Sequence, residues 1–288
     1  MNDTLRQSLE SLGQAGVLRF FDQLSPEEQQ QLQAQLAEVD LELMARLTGE
    51  KEESCQWAEL ARRAEPPPAF RLHDSQARFS AEQARQRGEA AMRDGQVAVI
   101  LVAGGQGTRL GFEHPKGMFP IGPISGNSIF QILMERVIAS ARRYGKPIPL
   151  FIMTSPATHD ETVRYLDEQQ FFGMDPSDVT IFCQGTMPAV DESGLLILEE
   201  PGRVFLSPDG HGGMLAAFDK SGCLADAKQR GLEQLFYFQI DNPLVAICDR
   251  ELVGYHLLSE SDMTTQVVAK TAPDDKVGNV VSADGRLM

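Results

Sequence analysis

A glycine-rich segment carries the clearest chemistry in this sequence. Residues 101–111 read LVAGGQGTRLG, and PKG follows at residues 115–117. Glycines at the end of a strand let backbone N–H groups approach a ligand without obstruction by Cβ atoms, and phosphate suits such a cradle. Arg109 offers a guanidinium fork for phosphate oxygens, and Lys116 offers a mobile positive charge. The segment indicates a phosphate-binding loop, with an ordinary glycine turn as the alternative.

Spacing excludes two better-known phosphate loops. A dinucleotide-binding fingerprint, GxGxxG, that starts at Gly105 would need glycine where Leu110 stands. A P-loop would need serine or threonine after its lysine, whereas Gly117 follows Lys116. An NAD-dependent dehydrogenase is therefore a poor fit to this chain.

Asp241 is a second position that could do chemistry. It follows an apolar run at residues 235–240, so we expect it at the carboxyl edge of a sheet, where open α/β sheets bind ligands. Mg²⁺ commonly takes one or two protein carboxylate oxygens and completes its shell with phosphate and water. Asp241 is thus a candidate metal ligand, and an Asp-Asn-Pro turn is the alternative.

Apolar runs and amphipathic segments alternate along the chain and must position these groups. The pattern predicts strands at residues 96–103, 148–154, 179–183 and 235–240. It predicts helices at residues 80–93, 128–144, 158–169 and within 222–231. Such alternation is typical of a mainly parallel sheet with right-handed crossovers.

The sequence divides into three predicted regions. Residues 1–65 form an N-terminal helical region, in which Ser25, Pro26 and Glu28 begin a helix with a capping box. Residues 66–95 are a proline-rich linker and a lead-in helix, and residues 96–288 are the catalytic domain. We expect this domain to be incomplete at its carboxyl end, because residues 277–288 read as an interrupted hairpin.

Composition limits the partners. Lys and Arg total 26 against 41 Asp and Glu, a net charge of −15, so nucleic acid and anionic membranes are poor partners. The four cysteines are far apart and indicate neither a zinc site nor a disulfide framework. Because the N-terminus lacks an apolar signal region and no stretch approaches 18 apolar residues, a cytoplasmic location is the default.

Several motifs together resemble one family. The glycine-rich segment and PKGM at residues 115–118 closely resemble the signature of the UDP-sugar pyrophosphorylases, especially eukaryotic-type UDP-N-acetylhexosamine pyrophosphorylases. QGTMPA at 184–189, SPDGHGG at 207–213 and IDNPL at 240–244 resemble further motifs in the family's order. The likeness runs from about residue 97 to 288. It implies a Rossmann-like, GT-A-like α/β nucleotidyltransferase, with a mixed, mainly parallel sheet flanked by helices and a small N-terminal helical region.

The resemblance implies a reaction. In this family a sugar 1-phosphate oxygen attacks the α-phosphorus of UTP, pyrophosphate leaves, and a UDP-sugar forms. Positioning and charge neutralisation carry such catalysis. The expected small-molecule substrates are therefore UTP and a sugar 1-phosphate, with N-acetylglucosamine 1-phosphate preferred and Mg²⁺ as cofactor.

The resemblance also assigns roles to residues of this chain. The catalytic residues are Arg109 and Lys116, and Asp241 is the metal ligand. The nucleotide-binding residues are Leu101, Ala103, Gly104, Gly105, Gly107, Thr108, Gln184, Gly210 and Asp241. The substrate-binding residues on the sugar side are His211, Gly212 and Asn242.

His211 departs from the N-acetylhexosamine pattern and leaves alternatives open. Those enzymes usually carry asparagine there, whereas glucose-1-phosphate enzymes often show Gly-His-Gly. A UTP:glucose-1-phosphate uridylyltransferase or a broad UDP-sugar pyrophosphorylase is the alternative enzyme, and a histidine packed only for structure is a further reading. A UTP-binding fragment without turnover is the alternative of another class, because the family places further sugar-binding residues beyond the position of Met288.

Overall fold

The structure is a computed structural model of the 288-residue chain and describes residues 3–49, 55–67, 69–71, 78–272 and 274–287. Pro68 of the predicted linker lies outside the described residues. The chain divides into two compact units. The first comprises Met1–Asp74, Thr186–Ser207 and Ala269–Met288, and the second comprises Ser75–Gly185 and Pro208–Val268.

The regular elements of the described residues are numbered in chain order. The α-helices are α1 (Asp3–Ser11), α2 (Pro26–Glu38), α3 (Leu41–Gly49), α4 (Cys55–Arg62), α5 (Ala81–Arg93), α6 (Ile129–Tyr144), α7 (His159–Glu168), α8 (Met214–Lys220), α9 (Cys223–Gln229) and α10 (Arg250–Leu258). The strands are β1 (Val97–Val102), β2 (Leu150–Thr154), β3 (Val179–Cys183), β4 (Thr186–Pro188), β5 (Leu198–Glu200), β6 (Arg203–Val204), β7 (Leu206–Pro208), β8 (Gln234–Gln239), β9 (Ser282–Ala283) and β10 (Arg286–Leu287).

A parallel sheet forms the centre of the second unit. Its strand order is β3-β2-β1-β8, and Leu101 of β1 lies opposite Ile152 on one side and Phe238 on the other. Every residue of β1 is buried, which explains its uninterrupted apolar sequence. The predicted α/β class with a mainly parallel sheet and flanking helices is confirmed.

The core of the second unit lies on both faces of this sheet. Val99 and Leu101 belong to a cluster that includes Leu133 of α6 and Ala91 of α5. The alternate β1 residues, such as Ile100, pack with residues of α8 and α9 in a second cluster. Because successive side chains of a strand point to opposite faces, β1 anchors both layers and fixes the position of the loop that follows it.

Helices α5 and α10 meet through two glycines. A Cβ on Gly88 would overlap the carbonyl of Arg250, and a Cβ on Gly254 would overlap the carbonyl of Ala84. Glu89 also pairs with Arg250, which lowers the pKa of the Glu89 carboxyl. Close packing of this kind fixes α10, which follows the segment carrying Asp241.

The first unit has a core of its own. Val17, Phe21, Leu32 and Leu36 are buried in it, together with partners that include Val204. The buried Gln14 side chain donates to the Gly194 carbonyl at 2.8 Å and accepts from the Leu196 N–H at 2.9 Å. The N-terminal helices thus pack against residues 186–207 within one unit.

The carboxyl end of the chain also belongs to the first unit. Strands β9 and β10 form a short antiparallel hairpin, where the sequence predicts a hairpin at residues 277–288. Its first strand is tied to the N-terminal region, because Glu65 and Ser282 exchange backbone hydrogen bonds of 2.8 and 2.9 Å. No helix among the described residues combines the length and the hydrophobicity that a membrane span requires.

Candidate functional site

Four polar or glycine positions lie where the parallel strands of the second unit end. Gly104 follows β1, Ser155 follows β2, Gln184 follows β3, and Asp241 follows β8. A Cβ on Gly104 would lie 3.3 Å from Oε1 of Gln184 and 3.2 Å from the Ser155 nitrogen. Glycine at position 104 therefore permits the ends of three strands to approach one another.

Ser155 supports Gly104. Its hydroxyl donates to the Gly104 carbonyl at 2.8 Å, and its N–H donates to the Thr158 hydroxyl at 3.1 Å. Ser155 and Thr158 are both buried, so these hydrogen bonds fix the backbone at the end of β1. Ser155 was not predicted from the sequence, although a polar residue directly after a buried strand was the available signal.

The glycine-rich loop folds back on itself. Gln106 bridges to Pro115, and the Gly107 N–H donates to the His114 carbonyl at 2.9 Å. The Lys116 N–H donates to the Gly105 carbonyl at 3.0 Å. This short ladder returns Lys116 to the end of β1, so that a Cβ on Gly105 would lie 3.8 Å from the Lys116 ammonium nitrogen.

The loop has a small packed centre. Gly107 is buried, and a Cβ there would lie 2.8 Å from the ring of Phe112. Phe112 contacts the rings of Phe119 and His114 edge to face, with centroid distances of 5.4 and 5.0 Å. His114 Nδ1 lies 2.5 Å from Glu161 Oε1, which ties the loop to α7. Packing alone therefore requires glycine at position 107.

Arg109 and Thr108 lie in an exposed turn of the loop. Thr108–Leu110 form a single 3₁₀ turn that ends at Gly111, whose φ of 68° favours glycine. The Arg109 side chain makes no hydrogen bond or ion pair with a described residue. Its guanidinium is thus available to an anion at this edge of the sheet.

Lys116 and Asp241 form an ion pair across 125 residues of sequence. Lys116 Nζ lies 2.6 Å from Asp241 Oδ1, with side chains 21% and 59% exposed. A pair this accessible to water contributes about 1 kcal/mol or less to the stability of a fold. The pair places the Lys116 ammonium beside the Asp241 carboxylate. The ammonium can bind an anionic group, and the carboxylate oxygen can bind a divalent cation that accompanies it.

Asp241 supplies one carboxylate to a cation, which suits an ion whose other ligands are water or phosphate. Carboxylate oxygen is a preferred ligand of Mg²⁺. Among the described residues, no three His, Cys, Asp or Glu side chains are grouped as a metal cage requires. An ion held by Asp241 would take its remaining ligands from water or from bound phosphates.

Asp209 joins the Gln184 segment to the loop at residues 209–213. Its N–H donates to the Gly185 carbonyl at 3.1 Å, and a Cβ on either Gly185 or Gly213 would overlap its carboxylate. Gly210 has φ 69° and ψ −158°, a conformation open essentially to glycine. Asp209 therefore fixes the start of the loop that carries His211.

The family comparison agrees with this geometry. The family model described as UTP–glucose-1-phosphate uridylyltransferase matches residues 41–288. The chain belongs to this family. The resemblance drawn from the ordered motifs is thereby confirmed.

Several relatives of this uridylyltransferase-family chain are named as pyrophosphorylases of UDP-N-acetylhexosamines. It is 35% identical to the mouse UDP-N-acetylhexosamine pyrophosphorylase-like protein 1, covering 98% of this chain and 58% of the relative. It is 33% identical to Arabidopsis thaliana UDP-N-acetylglucosamine diphosphorylase 2, covering 96% and 57%. The crystal structure of Trypanosoma brucei UDP-N-acetylglucosamine pyrophosphorylase with an inhibitor superposes with a TM-score of 0.81 at 28% identity, covering 100% and 60%. The chain thus spans somewhat more than half the length of these relatives.

The predicted site residues of this family member all lie in the second unit, but the structure does not bring all of them together. Contacts described above join Gly104, Gly105, Lys116, Gln184 and Asp241 around the strand ends. The sugar-side positions are exposed and form no side-chain hydrogen bond with a described residue; they are His211, Gly212 and Asn242. Leu101 and Ala103 are buried, with Leu101 paired on both sides of β1, so their nucleotide contacts stay predictions.

Among the described residues, no cysteine near the carboxyl ends of the parallel strands is available as a thiolate. Burial raises the pKa of the Cys183 thiol beside Gln184, and the nearby carboxylates of Asp160 and Asp209 raise it further. Burial raises the pKa of Cys248, which follows the Asp241 segment, to about 12. Both sulfurs therefore stay protonated near neutral pH and are poor nucleophiles.

Replacing Gly213 by alanine is expected to lower the melting temperature by several degrees, because the new Cβ would displace the Asp209 carboxylate. Overpacking of this kind typically costs about 1–3 kcal/mol. Gly212→Ala is the matched control, since no atom lies within 4 Å of a Cβ there. Equal melting temperatures for the two variants in thermal denaturation would contradict the close contact described between Gly213 and the Asp209 carboxylate.

Proposed function

We propose that the protein forms a UDP-sugar and pyrophosphate from UTP and a sugar 1-phosphate, with N-acetylglucosamine 1-phosphate preferred. The observation that carries the proposal is the Lys116–Asp241 pair at 2.6 Å beside Gly105, at the carboxyl edge of the parallel sheet. Ligands of open α/β sheets bind at that edge. Family membership and the names of the relatives support uridylyl transfer to a hexosamine phosphate.

The proposed reaction is a direct displacement. An oxygen of the sugar phosphate forms a bond to the α-phosphorus of UTP while the bond to the bridging oxygen of pyrophosphate breaks. Lys116 and Arg109 stabilise the negative charge that spreads over the α-phosphate and the leaving pyrophosphate. This route needs no nucleophilic side chain, which is consistent with the raised pKa of the Cys183 thiol.

We also propose that Asp241 holds Mg²⁺ together with the nucleotide. Its carboxylate is 59% exposed and supplies an oxygen ligand next to Lys116. The ion, when bound, would neutralise phosphate charge and orient the triphosphate. Asp241 thereby fixes where the charged end of the nucleotide lies relative to Lys116.

Gln184→Ala is expected to weaken UTP binding by about 10–100-fold, because a buried uracil edge would lose both a donor and an acceptor. Gln184 Oε1 faces Gly104, where the uridine is proposed to lie. Gln169→Ala is the control, since Gln169 is an exposed glutamine at the end of α7. Calorimetric titration with UTP gives both affinities, and equal affinities would remove Gln184 from the uracil site.

The sugar substrate is tested by measuring pyrophosphate release with UTP and each sugar 1-phosphate in turn. The flanking Ser207-Pro208-Asp209 and Gly212-Gly213 segments resemble the hexosamine branch, whereas His211 resembles the glucose branch. Turnover with glucose 1-phosphate and none with N-acetylglucosamine 1-phosphate would reject the preferred substrate. Saturable UTP binding without pyrophosphate release would favour the alternative of a UTP-binding fragment.

The proposed partners are thus small and anionic. UTP and the sugar 1-phosphate would be attracted by Arg109 and Lys116 against a chain of net charge −15. That net charge supports the exclusion of nucleic acids and anionic membranes as partners. The cytoplasmic location stays a prediction from the sequence.

A further inference from the structure

Helix α6 contacts both segments that carry the paired charges. Near its start, the ring of Phe130 occupies the space that a Cβ on Gly117 would need, and the Ile129 N–H donates to the Phe119 carbonyl at 3.1 Å. Phe130 is completely buried. The segment at residues 116–119, and with it Lys116, is therefore fixed against the first turn of α6.

The same helix reaches the segment after Asp241 about two turns further on. Arg136 Nη1 donates to the Pro243 carbonyl at 2.5 Å and to the Val245 carbonyl at 3.3 Å. Phe130 and Arg136 are separated by a rise of roughly 9 Å along the helix axis. One rigid element thus contacts the backbone on both sides of the Lys116–Asp241 pair.

The turn at residues 241–245 has few other contacts besides those from Arg136, the Lys116–Asp241 pair and the packing of Val245. Two backbone hydrogen bonds form within or next to it. The Asn242 N–H donates to the Gln239 carbonyl at 3.1 Å, and the Val245 N–H donates to the Asn242 carbonyl at 3.3 Å. Asp241, Asn242 and Leu244 are exposed, so packing holds the turn mainly at its end, where the half-buried Val245 lies against the core. Arg136 forms no ion pair with a described carboxylate, and its charge is directed at the two carbonyls. Hydrogen bonds from a charged donor are roughly twice as strong as neutral ones.

We propose that Arg136 is a positioning residue that holds the turn at 241–245 and so keeps the Asp241 carboxylate within reach of Lys116. The role in catalysis rests on the proposed function, because Asp241 matters there as the ligand of the Mg²⁺–nucleotide. Arg136 itself touches neither the nucleotide nor the metal in this proposal. It acts through the carbonyls of Pro243 and Val245.

Hydrogen exchange tests whether Arg136 holds the turn. In Arg136→Gln, we expect the amides of Asn242 and of residues 244–247 to exchange about tenfold faster than in wild type, as loss of a charged hydrogen bond of about 1.4 kcal/mol or more predicts. The amides of β1 should not change. Arg136→Lys should restore part of the protection because it keeps a charged donor, and Arg142→Gln, an exposed position on α6, is the control.

Titration with UTP in the presence and absence of Mg²⁺ tests the functional part. Arg136→Gln should weaken the Mg²⁺-dependent affinity about tenfold and leave the Mg²⁺-free affinity near that of Arg142→Gln, with partial rescue in Arg136→Lys. Unchanged exchange in Arg136→Gln would overturn the proposal. Faster exchange with full Mg²⁺-dependent affinity would also overturn it, since the arginine would then be only structural. If the wild-type chain bound no UTP, the proposed function would fail, and the exchange comparison would still decide whether Arg136 holds the turn.

Discussion

Replacing Lys116 by methionine is expected to lower the rate of pyrophosphate release by about 10²–10³-fold, the usual cost of removing one group that stabilises transition-state charge. Methionine keeps most of the side-chain length and removes the positive charge. UTP affinity should fall much less, because Gly104 and Gln184 are proposed to contact the uridine. The expected signature is therefore a loss in kcat that exceeds any loss in affinity.

The fold should tolerate this change. The partner carboxylate of Asp241 is 59% exposed, so water can solvate it once the ammonium group is gone. Lys146→Met is the matched control, since Lys146 is an exposed lysine of the same unit. A soluble Lys116→Met protein with the turnover of Lys146→Met would refute the catalytic role of Lys116.

Replacing Asp241 by asparagine is expected to abolish most of the effect of Mg²⁺ on UTP binding and to lower turnover by about 10²-fold or more, a loss typical of removing a charge-stabilising group. Asparagine preserves the shape of the side chain but is a weaker ligand for a hard cation. UTP titrations at several Mg²⁺ concentrations, with pyrophosphate release measured in parallel, report both effects.

Asp219→Asn gives the control for this loss of one negative charge. Asp219 is exposed on α8 in the same unit, so the change alters net charge equally without touching the strand ends. Wild-type turnover and Mg²⁺ dependence in a folded Asp241→Asn protein would refute the metal assignment. Loss of Mg²⁺ dependence in both variants would instead indicate a general charge effect.

The two substitutions also differ in what they leave behind. Lys116→Met leaves a carboxylate beside the proposed phosphates, which should repel them, whereas Asp241→Asn leaves an ammonium that still attracts them. We therefore expect Mg²⁺-free UTP binding to be weaker in Lys116→Met than in Asp241→Asn. Calorimetry in the presence of a chelator measures this difference directly.

Much of the fold follows from local features of the sequence. The capping boxes at Ser25 with Glu28 and at Ser80 with Gln83 are both present, because each depends on groups three residues apart. The buried strand β1 follows from its apolar run, and the parallel sheet follows from alternation of strands and helices. The family could be identified from its motifs because several of them occur in order.

Local patterns could not reveal how residues 186–207 fold. They form short strands that join the N-terminal helices in the first unit, with Gln14 bonded to Gly194 and Leu196. These bonds span about 180 residues of sequence. Strands this short carry too few residues to show a period of two, so neither their existence nor their partners could be predicted.

The sequence by itself determined the strands, the helices and the residue types available for chemistry at the strand ends, since these depend on periodicity and on neighbouring residues. Tertiary structure alone decided that Lys116 returns to Gly105, that it pairs with Asp241, and that Arg136 donates to the Pro243 carbonyl in the turn that follows Asp241. The physical reason is that side-chain contacts between distant segments depend on how α6 and the sheet pack, and no local pattern encodes that packing.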